Sequence, residues 1–196
     1  MIIARYPGQW KVYRKECATF FERLKARMDK GILRCPLCGG VFDVHSYYER
    51  TVIEASGQTG KITIMRVICQ ETGCGKTQAI LPDFLMPYKR YAAVVIEDSF
   101  NSVDNGGRID ECEAAAEAST IMRWIRYLRY SLLIAINALQ GILLEKGRKI
   151  GVKVFSGKNA LERLAILVKI FLRTESIGYV IGGANAILTS YGKGYI

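Results

Sequence analysis

ECATFFERLKARMDKG, Glu16–Gly31, places apolar residues at 17, 20, 21, 24 and 28, the spacing of an amphipathic helix, with Gly31 as its C-terminal cap. The period then changes. VFDVHSYYERTVI and KITIMRVIC alternate apolar and polar positions as two strands joined across EASGQTGK, and TQAILP predicts a third short strand. Pro82 and Pro87 bracket DFLM and mark a boundary, beyond which everything reads as helix. YKRYAAVVIEDSFNSV is one amphipathic candidate, NGG at 105–107 is a break, and a helical pattern runs almost without interruption from Asp110 to Lys146. After a loop rich in glycine and lysine, NALERLAILVKIFLRTES and IGYVIGGANAILTSYGKGY continue as helix. In the latter, Gly182 and Gly183 either split the helix or permit close packing.

These elements predict an α+β protein: a small antiparallel ribbon preceded by a helix and followed by a helical bundle. The expected divisions are a basic segment and helix at 1–33, a ribbon at 34–87 and a helical domain at 88–196. A chain of 196 residues, half of them apolar, can bury one core or two small ones, and two modules fit this pattern better. The longest apolar run, Ser131–Leu144, falls short of the roughly 20 residues that span a bilayer. MIIARYPGQWKVYRK carries no secretory pattern. The expectation is a soluble, cytoplasmic, nucleoid-associated protein with no membrane partner.

Charge changes the picture. The net charge is +10, with nine Lys/Arg against three acids in 1–34 and eleven against two in 121–173. Between them, 35–120 has seven basic and twelve acidic residues. Two basic zones around an acidic middle suggest a polyanion partner.

The cysteines supply the strongest chemistry. RCPLCGG and CQETGCGKT set out Cys35, Cys38, Cys69 and Cys74 as two pairs, each followed by a glycine, Gly39 and Gly75. Four thiolates complete the tetrahedral shell of structural zinc. A redox pair would open a helix, whereas Cys38 leads into a strand, and a disulfide scaffold needs an oxidising compartment. Zinc is therefore the expected cofactor, pinning two knuckles onto a sheet as a zinc ribbon. His45 is expected to be structural near this site, and Cys17 and Cys112 to be buried free thiols.

CEAAAEASTIMRWIRYLR, within the span 91–130, resembles the second half of a helix-turn-helix. Ser119 and Thr120 would open the recognition helix, Ile121, Trp124, Tyr127 and Leu128 would pack it, and Arg123, Arg126 and Arg129 would form a stripe toward DNA. Lys89 and Arg90 complete the candidate nucleic-acid set. No glycine or asparagine marks a turn between Ala114 and Ser119, so a continuous helix with a solvated arginine face is the alternative.

CPLCGG, VHSYYER, RVICQETGCGKTQAILPDFLMPYKRY and STIMRW together resemble an uncharacterised bacterial family of zinc-ribbon plus helix-turn-helix-like proteins associated with mobile elements. They look like the DNA-binding front end of insertion-sequence transposases. The resemblance implies that the four cysteines bind zinc and that the tryptophan-bearing helix meets nucleic acid.

No catalytic residues are expected. The acids beyond residue 130 are three, on helices or their ends, and the single histidine is in a ribbon strand. GCGKT lacks the full phosphate-loop spacing. Two functions follow: a zinc-dependent DNA-binding regulator or accessory factor of a mobile element, with RNA binding as a variant; or an adaptor docking a transposase or another nucleic-acid enzyme through its C-terminal helices.

Overall fold

The computed structural model describes residues 1–6, 8–148, 150–174 and 178–191. A four-stranded mixed sheet carries five α-helices. The strands β1 (Ile2–Ala4), β2 (Phe42–Ile53), β3 (Thr59–Cys69) and β4 (Thr77–Pro82) lie in the order β1-β4-β3-β2. The β2–β3 pair is a long antiparallel hairpin running from Phe42 opposite Cys69 to Ile53 opposite Thr59. β4 adds antiparallel to β3, and β1 pairs with β4 in parallel, Ile2 to Ile80. The three expected strands are thus present; β1 was not foreseen, because three residues are too few to show alternation.

The first helix, α1 (Trp10–Asp29), begins six residues before the expected start. Its buried residues, Trp10, Tyr13, Phe20, Phe21, Leu24 and Met28, form one stripe laid against the hairpin. Tyr13 donates its hydroxyl to the Thr63 carbonyl at 2.8 Å. Trp10 lies over Gly60, where a β-carbon would come within 2.2 Å of the indole. Gly31, at φ +65°, ends the helix as expected.

The remaining helices are α2 (Ala93–Asp104), α3 (Ala118–Glu145), α4 (Ala160–Leu172) and α5 (Val180–Ser190). Asn159 and Glu162 cap α4 reciprocally, each side chain accepting the other's N–H at 2.9 Å. In α5 the glycine pair serves close packing. A β-carbon on Gly182 would fall 1.7 Å from the Asp83 carbonyl oxygen, so only glycine lets the helix cross there.

One expectation needs correction. Helix does not run from Asp110: a 3₁₀ turn occupies Ile109–Glu111, and 112–117 is not helical before α3 starts at Ala118. Ala115 donates its N–H to the Ala55 carbonyl at 2.7 Å and accepts the Tyr91 hydroxyl at 3.1 Å, so docking on the hairpin turn overrides the helical propensity of the alanines. Between Pro82 and Pro87 the chain runs through the interior. Phe84, Leu85 and Met86 are fully buried, and the apolar interior is continuous from β1 to α5.

Candidate metal centre

The two knuckles meet at one end of the hairpin. Cys38 ends the turn at 36–38 that precedes β2, and Cys69 closes β3 opposite Phe42. The four sulfurs of Cys35, Cys38, Cys69 and Cys74 lie within 4.8 Å of one another, Cys35 to Cys74 at 3.9 Å and Cys38 to Cys69 at 3.5 Å. All four thiols are free. Four sulfurs about 2.3 Å from a tetrahedral ion would stand about 3.8 Å apart, so the cluster has the dimensions of a metal-thiolate site.

Backbone geometry serves the sulfurs. Gly39 donates its N–H to the Cys35 carbonyl at 2.8 Å, and Cys35 donates to the Gly40 carbonyl at 2.9 Å, closing the first knuckle. The wider second knuckle tightens through Cys74 N–H to the Glu71 carbonyl at 3.0 Å, with Gly73 at φ +88° and Gly75 at φ +52° turning the chain. Gly40 is the residue that sequence reading missed: a β-carbon there would meet the Cys69 sulfur at 3.0 Å and the Cys38 sulfur at 3.3 Å. Its signal was the doubled glycine after Cys38.

Burial opposes ionisation of Cys35, but the N–H groups of Leu37 and Cys38 hold its thiol below the usual range. The Gly40 N–H pulls Cys38 down, yet the sulfurs of Cys69, Cys74 and Cys35, together with burial, push it up to about 12. The Glu71 N–H likewise pulls Cys69 down, as does the Cys38 thiol, while burial and the sulfurs of Cys74 and Cys35 outweigh them and raise it. One thiolate thus forms readily and discourages the next, a conflict that a bound dication relieves.

His45 lies outside this cluster. It is exposed at the bulge between Val44 and Ser46 and pairs with the Ser46 hydroxyl at 2.9 Å, so its expected place near the metal is corrected: the bulge turns it to solvent. Cys17 and Cys112 are half-buried.

Residues 35–124 match the domain of unknown function DUF6431. The match takes in all four cysteines, β2 to β4, α2 and the first turns of α3, under half of the chain. No curated protein and no solved structure is matched.

The candidate nucleic-acid residues gather on and beside α3. Ser119 and Thr120 are in its first turn, as expected, but the helix before it ends at Asp104, and residues 105–117 separate the two. That interval replaces the short turn of a helix-turn-helix. Arg123, Arg126 and Arg129 are exposed. Arg123 bonds its own helix, at the Ser119 carbonyl (3.2 Å) and the Thr120 hydroxyl (3.1 Å), and Arg129 stands 3.9 Å from Asp104. Ile121, Trp124 and Leu128 are buried, Trp124 edge-on to Tyr91 at 4.8 Å. Tyr127, expected in the core, is outside and carries the Lys89 ammonium 5.2 Å over its ring; Arg90 is exposed nearby in sequence.

A second basic feature was foreshadowed only by the charge of the first zone. A groove of about 580 Å³ adjoins the first knuckle, and Arg5, Arg27 and Arg34 line it with Cys35 and Pro36. No acid lines it among the described residues.

Of the C-terminal helices, α5 is packed inward, with Ile181 to Asn185 buried in succession. Exposed apolar residues on α3 include Met122, Leu133, Ile134 and Leu144. The expectation that no segment reaches membrane-spanning length holds for the 131–144 run but not for α3, whose 28 residues are long and apolar enough by length and composition to cross a bilayer. One face of it, from Ile121 to Leu143, is buried in the protein.

Proposed function

We propose that the chain is a zinc-stabilised nucleic-acid-binding protein without catalytic activity of its own. The ion is zinc, because four thiolates at tetrahedral spacing form a closed site suited to that soft, redox-inert metal. Its role is structural: it joins the ends of β2 and β3 to the chain leaving α1. The observation that carries the nucleic-acid reading is the acid-free groove with Arg5, Arg27 and Arg34 beside the cysteines. Guanidinium groups in a groove meet phosphates through paired N–H donors. The α3 face, with Arg126 and Tyr130 exposed, offers a second surface. Duplex DNA is the favoured partner, and the resemblance of the cysteine-bearing segments supports a regulator or accessory factor of a mobile element.

The test is binding to duplex DNA, single-stranded DNA and RNA at two salt concentrations. Each arginine that meets phosphate should lower the salt slope by about one unit when changed to alanine. Binding left unchanged by R27A, R34A and R126A would remove this reading. The exposed aliphatic residues of α3 favour the second one, an adaptor that docks a nucleic-acid enzyme through α3 and not through α4 and α5.

A further inference from the structure

A cleft of about 760 Å³ lies well apart in character from the basic groove. It opens between the chain leaving β1, the start of α1, the hairpin turn and α2. Its walls include Tyr6, Trp10, Phe84 and Tyr179. The rings form a connected lining, Tyr6 to Phe84 at 6.2 Å and Phe84 to Tyr179 at 6.3 Å. Among the described residues, three carboxylates, those of Glu54, Asp83 and Asp98, face the same space against one guanidinium, Arg5. In a chain of net charge +10 this is a local reversal of sign.

The carboxylates differ in how far they are satisfied. Glu54 already accepts the Trp10 indole N–H at 2.7 Å and the Lys11 ammonium at 3.2 Å. Asp83 is only 5% exposed, and one of its oxygens takes the Tyr6 N–H at 3.0 Å. No salt bridge reaches Asp83 or Asp98 among the described residues. The charge of Arg5 draws the Asp83 carboxyl down but burial outweighs it, so a cation seated in the cleft would offset a cost that the fold leaves in place. The rim shows which chemistry suits the wall: Lys11 also stands 5.7 Å over the Trp10 ring.

We infer that this cleft is a binding site for a small organic cation, an alkylammonium or guanidinium compound, held between the aromatic walls and the carboxylates of Asp83 and Asp98. Aromatic faces attract a cation through their negative quadrupole, and the paired acids add direct charge. The volume suits a small metabolite. This site is separate from the metal centre and shares one lining residue, Arg5, with the basic groove.

The test is isothermal titration of the metal-loaded protein with choline and with agmatine, and with 3,3-dimethyl-1-butanol, the uncharged isostere of choline. At least one of the two cations should saturate a single site with a dissociation constant below about 1 mM, and the neutral alcohol should bind at least about tenfold more weakly than choline wherever choline binds. Asp83→Asn, which keeps an oxygen for the Tyr6 N–H, should weaken the cation about tenfold without lowering the melting temperature. Should that variant fold poorly, Asp98→Asn is the arbiter, since its side chain is exposed. The inference is overturned if neither cation saturates, if the alcohol matches choline, or if the folded variants bind as the parent does.

Discussion

The carboxylate of Glu97 on α2 accepts the N–H of Ile181 at 2.7 Å and that of Val180 at 3.1 Å, so a buried acid of one helix caps the first turn of another 84 residues away. Burial pushes this carboxyl up to about 7, against the pull of the Ile181 and Val180 N–H groups. Below the ordinary value of 4.5, folded and unfolded chains both carry the proton. Between 4.5 and about 7 only the folded chain keeps it, so the group's contribution to stability falls as pH rises, by up to about 3 kcal/mol. Asp83, pushed up to about 6 mainly by burial, acts in the same direction. Denaturant titrations from pH 4.5 to 7.5 should therefore show declining stability, and Glu97→Gln should remove part of that slope. Glu97→Ala, which orphans two N–H groups, should cost about 3 kcal/mol at pH 4.5 and less as pH rises, because the variant lacks the carboxyl whose ionisation weakens the parent.

Metal removal should lower one cooperative transition. Separate cores would let the ribbon melt alone, but Cys35 and Cys69 belong to the interior that continues into the helices. Chelation, or Cys69→Ser, should strip about one zinc per chain by elemental analysis and lower the melting temperature of the whole protein. His45→Ala should leave zinc content unchanged. Loss of zinc in that variant would mean a three-cysteine, one-histidine site.

Gly182→Ala should be among the most damaging single-methyl changes. The new carbon meets backbone, the Asp83 carbonyl, which cannot swing aside as a side chain can. A loss of about 3 kcal/mol in chemical denaturation is expected. Gly141→Ala, on α3 with nothing within 4 Å, should be neutral or slightly stabilising and serves as the control.

Helix α3 should split its variants into two kinds. Arg126→Ala and Arg129→Ala should melt near the parent and bind duplex DNA more weakly, by about 1 to 3 kcal/mol where the residue reads a base. Trp124→Ala should lose about 3 to 5 kcal/mol of stability, because its ring is 4% exposed and packs on Tyr91. Arginine variants that bind as the parent does would hand α3 to the adaptor reading.

Much of this was legible locally. Strand period, turn glycines and paired cysteines are short-range signals, and β2, β3, β4 and the four-sulfur cluster followed from them almost residue for residue. The arginine stripe was legible as exposed, but its partners were not. Arg123 spends its donors on its own helix, and the short turn of a helix-turn-helix is replaced by a strap pinned through Ala115 to Ala55.

What the sequence alone determined is set by chemistry within a few residues: helix period, alternation, glycine turns and thiol spacing. What only the tertiary structure decided involves groups far apart in the chain. Ile2–Ala4 becomes a strand because β4 offers it a free edge, and Asp83–Met86 becomes core and not linker because α5 crosses over it. Glu97 becomes a helix cap, and the cleft gathers Tyr6, Asp83, Asp98 and Tyr179 from four separate segments. Local pattern records each residue's preference, whereas a buried charge or a missing β-carbon has meaning only through the neighbour that folding brings to it.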